Sequence, residues 1–308
     1  MDETDGATTR GFERKPEWLR KRFSQGADTA FTGGVLGDLR LNTVCREALC
    51  PNYADCFSRR TATFMILGTN CTRDCAFCNV THGTPSEVDA DEPRRVGEAV
   101  RRLGLKYVVV TSVTRDDLSD GGAGQFAAVI GSIRERSPGT AVEVLMPDFG
   151  GSPDALRIVA DAAPDVISHN METVRELYPE VRPGADYDRS LELIGRVRGF
   201  AAREAVGGAA GAAVVGAIRS KSGFMVGLGE KRGQVGALMD DLRAVGCEFL
   251  TIGQYLAPSR AHHKVVEYVT PEIFDEYAEI ARAKGFAYVA SAPFVRSSYR
   301  AHEALKSL

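Results

Sequence analysis

Seven cysteines carry the chemistry this sequence offers, and six of them fall into two groups of three. Cys71, Cys75 and Cys78 stand in "CTRDCAFC", directly after the apolar run "TATFMILGTN", with three and then two residues between them. Cys45, Cys50 and Cys56 stand in "CREALCPNYADC", with four and then five residues between them. Cys247 is alone in an apolar context and reads as a core thiol. Structural zinc takes a closed set of four ligands, often as two close pairs, and neither trio has that form. A 4Fe–4S cube has four iron corners, each commonly held by a thiolate. Three thiolates leave one iron open, and an open corner is where a substrate can bind metal directly. Two trios therefore point to two 4Fe–4S clusters whose fourth ligands come from outside the trios.

The bulk of the chain suits that chemistry. With 44% hydrophobic and 26% charged residues it has the composition of an ordinary globular protein, and 308 residues are ample for a large core. A net charge of −3 gives no case for a nucleic-acid partner. No apolar run approaches the roughly 20 residues of a membrane helix, and the polar N-terminus lacks a signal core. The expectation is a cytoplasmic protein, where thiols stay reduced and ligate metal rather than pair as disulfides.

The elements that must hold the trios alternate in type. Apolar runs that read as buried strands are "TATFMILG", "KYVVVTSV", "AVEVLMPD", "DVISHNME", "GFMVGLGE" and "EFLTIGQY", with helix-like stretches such as "EPRRVGEAVRRLG" and "QVGALMDDLRAVG" between them. Six such units predict an α/β fold, a partial (β/α)6 TIM-like barrel with a parallel sheet. Its expected organisation is an N-terminal extension over 1–58 carrying the upstream trio, the barrel over 59–260, and a C-terminal helix, strand and "RSSY" segment over 261–308 that closes the barrel mouth. Asn70, Asp120, His169, Glu230 and Gln254 follow or close strands, as residues at the C-terminal mouth of a barrel do. His169 itself reads as a packing histidine. The basic stretch "RKPEWLRKRF" reads as a solvated or packing helix, and the Ala/Gly-rich stretch 201–218 as a surface insertion.

The C-x₃-C-x₂-C trio in the loop after the first barrel strand, with Phe77 before its last cysteine, resembles the radical S-adenosylmethionine superfamily. Further motifs narrow this. "CREALCPNYADC", "TSVTRDDLSDGGA", "SHNMETV", "LYPEVRPGADYDRSL", "KSGFMVGLGE", "TIGQYLAPS" and "FVRSSYRA" together resemble the lipoyl synthase family across nearly the whole chain.

The resemblance implies a sulfurtransferase that inserts two sulfur atoms at carbons 6 and 8 of an octanoyl chain carried on a protein lysine. It implies S-adenosylmethionine on the cluster of Cys71, Cys75 and Cys78, with hydrogen abstraction by the radical formed there. It also implies sulfur supplied by the auxiliary cluster of Cys45, Cys50 and Cys56. The fourth ligand of that auxiliary cluster is a serine of "RSSY", Ser298 or its neighbour Ser297. By analogy, S-adenosylmethionine contacts fall to Phe77, Asp120, Gly121, Gly122, Asn170, Glu172, Gly227 and Gly229, whereas Arg182 and Arg189 read as surface pairs. The implied partners are octanoylated lipoyl-domain proteins (acyltransferase subunits of 2-oxoacid dehydrogenases, the glycine cleavage carrier protein), an electron donor and a cluster-repair carrier, with no nucleic acid and no membrane. Two rivals remain. Another radical sulfur-inserting or methylthiolating enzyme would share the downstream trio but lack the upstream one and "RSSY". A zinc-storage or redox module would not cleave S-adenosylmethionine.

Overall fold

The structure, a computed structural model, describes residues 15–20, 26–200 and 217–306. Most of the Ala/Gly-rich stretch and part of the basic N-terminal stretch lie outside the described residues.

Ahead of the alternation come α1 (Ala27–Asp38), β1 (Asn42–Thr43), α2 (Val44–Glu47) and α3 (Tyr53–Ser58). The alternation begins with β2 (Thr63–Ile66), α4 (Glu92–Leu103), β3 (Tyr107–Ser112), α5 (Ala123–Arg136), β4 (Ala141–Leu145) and α6 (Pro153–Asp161). It continues with β5 (Val166–Ser168), α7 (Tyr178–Val181), α8 (Tyr187–Val197), β6 (Arg219–Val226), α9 (Arg232–Ala244) and β7 (Phe249–Gln254). Last come α10 (Pro271–Ala283), β8 (Tyr288–Ser291) and α11 (His302–Lys306).

The eight strands form one sheet in chain order. β1 runs antiparallel to β2, and every later neighbour is parallel. The first and last strands do not pair, so the barrel is open. The six expected strands are β2 to β7, and the strand expected in the C-terminal region is β8, reached by a sixth helical crossover. β2, β5 and β7 are buried at every position, which is why they read as unbroken apolar runs rather than alternating ones.

Helix α4 illustrates why the crossovers form. Pro93 is preset for the first turn, and Gly104 ends the helix in the left-handed region at φ 65°. Val96, Ala99, Val100 and Leu103 make the buried stripe, while Arg94, Arg101 and Arg102 face out. Residues 26–58 are built onto the barrel edge. β1 extends its sheet, and Val35, Leu36 and Phe57 join the same core as β2 to β4. Among the described residues no helix is long and apolar enough to cross a membrane.

The chain between β8 and α11 does the closing that the strands leave undone. Ala292 and Gln254 exchange backbone bonds with Ile252 and Pro293 across β7. On the other side Asn52 donates to the Phe294 carbonyl at 2.7 Å, and the Tyr299 hydroxyl donates to Asp55 at 3.0 Å. Asn52 and Asp55 both lie between Cys50 and Cys56. The segment 292–299 thus bridges the end of the sheet to the upstream trio. Gly253 permits it: a Cβ there would sit 2.1 Å from the Val295 carbonyl oxygen.

Candidate active site

A cavity of about 500 Å³ opens inside the barrel, and all six trio cysteines line it. So do Ser297 and Ser298. Two motifs separated in sequence, and a third near the C-terminus, share one chamber.

The downstream trio sits in the loop that leaves β2, at the C-terminal end of the parallel strands. Backbone bonds fold the loop tightly: the Cys71 amide donates to Thr81, the Gly83 amide to Cys71, and the Cys78 amide to Cys75. The Thr114 amide, just beyond β3, donates to Cys71 Sγ at 3.3 Å. A side chain inside the motif locks the loop down. Arg73 grips Asp116 through two bonds of 2.8 Å and reaches Asp148 at 2.6 Å. Asp148 is fully buried and also holds Arg189. Burial alone would raise its carboxyl, but Arg73, with His169 and Arg189 nearby, holds it below the usual carboxylate range.

The upstream trio is carried by two short helices. Cys45 is in α2 and Cys56 in α3, with the Cys50 amide donating back to the Cys45 carbonyl and the Tyr53 amide to Cys50. Burial pushes the Cys45 thiol up to about 11 and the Cys78 thiol up to about 12, and it also raises Cys75. Metal loading must therefore displace protons from these sulfurs.

The other expected contacts divide. Phe77, Asn170 and Glu172 line the cavity, whereas Asp120, Gly121, Gly122, Gly227 and Gly229 do not. The Asp120 carboxylate accepts the Gly122 and Gly124 amides at 2.9 and 2.8 Å and so starts α5. Glu230 accepts the Gly227 and Leu228 amides and shapes the turn after β6. Gln254 is buried and bonds the Val226, Tyr255 and Glu267 carbonyls, tying the loop after β7 to the barrel. Asn70 donates to the Thr84 carbonyl. His169 sits in the cavity wall with Nδ1 on the Met146 carbonyl at 2.8 Å and Nε2 on Ser190 at 3.1 Å, as a packing histidine should. Cys247 is buried in the core.

Arg182 corrects the surface reading. It is buried, donates to the Asn170 carbonyl and lines the cavity. Arg296, which opens "RSSY", is a further residue of the site. It lines the cavity, and Cys50 and Glu172 are the acidic groups that face it. Its only advance signal was its place in a motif otherwise read for serine.

Glu172 holds a backbone conformation rare for a non-glycine residue, φ 65°, beside the cavity. Burial raises its carboxyl, against the pull of Arg182. Asn170 donates to Glu172 at 3.0 Å and to the Ser297 hydroxyl at 2.6 Å. The Ser298 hydroxyl makes no hydrogen bond among the described residues.

The donor set suits clusters and a polar ligand. Among the described residues no three His, Cys, Asp or Glu side chains converge as one ion would require, whereas a cube spreads its ligands over four separate irons. Asn170 Oδ1 and Arg182 Nε are buried without partners among the described residues. An acceptor and a donor left waiting in a cavity wall match a ligand that carries hydroxyl or ammonium and carboxylate groups.

Residues 65–208 match the family model described as the radical SAM superfamily. The chain is 50% identical over 294 residues to the lipoyl synthase of Alkaliphilus metalliredigens (strain QYMF), covering 96% of this chain and 97% of that one. It is 54% identical over 290 residues to the lipoyl synthase of Trichlorobacter lovleyi, covering 94% and 98%. Among solved structures, Streptococcus suis SuiB bound to S-adenosylmethionine matches with TM-score 0.54 at 10% identity, over 78% of this chain and 53% of that one. HydG, a maturase of the [FeFe]-hydrogenase, matches with TM-score 0.55 at 15% identity, over 84% and 55%. These two likenesses concern the fold.

Proposed function

The chain belongs to the lipoyl synthase family, and from that premise we propose that its reaction runs in the one cavity both cysteine trios line. It is a radical S-adenosylmethionine enzyme that inserts sulfur into octanoylated lipoyl-domain proteins, using two 4Fe–4S clusters and S-adenosylmethionine. In our reading Cys71, Cys75 and Cys78 hold the cluster that binds S-adenosylmethionine, and Asn170, Glu172 and Phe77 line its place. Cys45, Cys50 and Cys56 hold the cluster that gives up sulfur. The observation that carries this is the shared cavity: a radical formed at one cluster needs its target carbon within reach of the other.

When bound, these groups supply hydrogen abstraction from an unactivated carbon and a source of sulfide. The chain's own residues do the rest. Arg73, held by Asp116 and buried Asp148, fixes the loop between Cys71 and Cys75. Met65, Leu145, Met146 and Phe224 give the cavity an apolar wall for an octanoyl chain, and excluding water there guards a radical from side reactions. Ser298 takes the fourth ligand place of the upstream cluster, because Asn170 already engages the Ser297 hydroxyl and leaves that of Ser298 free. Asp120, Gly121, Gly122, Gly227 and Gly229 serve the turns that frame the site.

The finer partners belong to the same reading: acyltransferase subunits of 2-oxoacid dehydrogenases and the glycine cleavage carrier protein as substrates, an electron donor, and a carrier that rebuilds the spent cluster, all in the cytoplasm. The test is anaerobic incubation of the reconstituted enzyme with reductant, S-adenosylmethionine and an octanoyl-lysyl peptide, followed by mass spectrometry. We expect 5′-deoxyadenosine and a peptide that has gained two sulfur atoms. Cleavage of S-adenosylmethionine with no sulfur gained would end the proposal.

A further inference from the structure

A charged pair is buried inside the barrel, and nothing above uses it. Lys221 on β6 and Glu143 on β4 have side chains 1% and 0% exposed. Lys221 Nζ donates to both Glu143 carboxylate oxygens, at 2.8 and 3.0 Å. The Tyr107 hydroxyl, from β3, donates to the same carboxylate at 2.5 Å. Lys221 Nζ also donates to the Ser297 carbonyl oxygen at 2.6 Å. Three strands and the C-terminal segment therefore meet at one ion pair.

Stability alone does not call for this arrangement. A buried ion pair often holds a fold no better than apolar side chains of the same volume. What the ammonium adds is a donor for a backbone carbonyl that no strand reaches. That carbonyl belongs to the peptide joining Ser297 to Ser298. A peptide unit is planar from one Cα to the next, so pinning the Ser297 oxygen fixes where the Ser298 Cα stands. Asn170 holds the Ser297 side chain, and Asp55 holds Tyr299. The backbone is anchored around Ser298 while its own hydroxyl has no hydrogen-bond partner among the described residues.

We propose that Lys221, its ammonium fixed by Glu143 and Tyr107, is a positioning residue that presents the Ser298 hydroxyl to the upstream cluster. The inference rests on the reading of Ser298 as that cluster's fourth ligand.

Lys221→Met alone strands the Glu143 carboxylate in the core and can cost the fold, so the decisive variant is Lys221→Met/Glu143→Gln, which removes both charges together. Two readouts are needed. In the metal-free chain, amide hydrogen exchange over 295–301 should quicken on the order of tenfold while the strands keep their protection. In the reconstituted enzyme, a chelator should strip iron from the upstream cluster faster than in wild type, while 5′-deoxyadenosine formation is unchanged. Unaltered exchange over 295–301 overturns the proposal, as does faster exchange with wild-type iron retention when Ser298→Ala in parallel does lose iron. If Ser298→Ala itself keeps its iron, the ligand reading has failed and the proposal falls with it.

Discussion

Cys78 and Cys50 belong to trios of the same chemistry, yet their removal should break different halves of one reaction. In the proposed reading Cys78→Ala takes a ligand from the cluster where S-adenosylmethionine binds, and should abolish both 5′-deoxyadenosine and thiolated product. Cys50→Ala should leave 5′-deoxyadenosine formation intact and yield no thiolated product. Full lipoyl formation by the Cys50 variant would remove the upstream trio from sulfur donation. His169 makes a different prediction. Burial, with Arg182 adding to it, lowers its pKa to about 4, against an ordinary value near 6.5. Above pH 6.5 it is neutral folded or unfolded, and stability does not depend on it. As pH falls from 6.5 toward 4 the unfolded chain takes a proton that the folded one refuses, and about 3 kcal/mol is lost. Denaturant midpoints of the metal-free protein across that window should drop in wild type and stay flatter in His169→Gln. Equal slopes would place the acid sensitivity elsewhere. The cysteines were legible because spacing alone marks a ligand set. Arg182 was not, because a lone arginine in "EVRPG" carries no mark of burial, and only its bonds to the Asn170 and Met171 carbonyls and the Tyr178 hydroxyl supply it.

Among the elements, the segment 292–299 matters most, since it brings Ser298 into the cavity that Cys45, Cys50 and Cys56 line. Its path depends on Gly253 in β7, where an added methyl carbon would collide with the Val295 carbonyl. Gly253→Ala should push the segment off the sheet, destabilise the fold by about 1–3 kcal/mol through overpacking, and lose most doubly thiolated product while still cleaving S-adenosylmethionine. Thermal midpoint and product mass read both effects, and a variant with wild-type values for each would show that the segment tolerates displacement. β2, β5 and β7 were readable because burial on both faces writes an unbroken apolar run, whereas β6 starts four residues before its expected run, on the polar Arg219, Ser220, Lys221 and Ser222 that no apolar pattern marks. The turns were less so. "DGG" reads as a ligand loop, and in the structure the Asp120 carboxylate accepts the Gly122 and Gly124 amides at the start of α5, outside the cavity lining.

At the scale of the whole molecule, the proposed pair of clusters, one on each trio, should give about eight irons per chain after anaerobic reconstitution. Iron analysis that settles near four would remove one cluster from the site. The open sheet explains how one chamber can hold both. Closing the barrel with an eighth parallel strand would fill the place where the upstream trio and "RSSY" meet. The sequence by itself determined the ligand types, their grouping in threes, the alternation of strand and helix, and the family, because each of these is local: a spacing, a period or a motif. Only the tertiary structure decided that both trios face the same cavity, that Asn170 holds Ser297 while the Ser298 hydroxyl has no hydrogen-bond partner among the described residues, and that Lys221 reaches the peptide between them. The side-chain bonds from Asn52, Asn170 and Lys221 to the segment 292–299, and from Tyr299 to Asp55, join residues 76 to 244 positions apart. No local pattern encodes which distant backbone carbonyl a buried ammonium will meet, and the answer appears only once the sheet has curled and the C-terminal segment has crossed its open side.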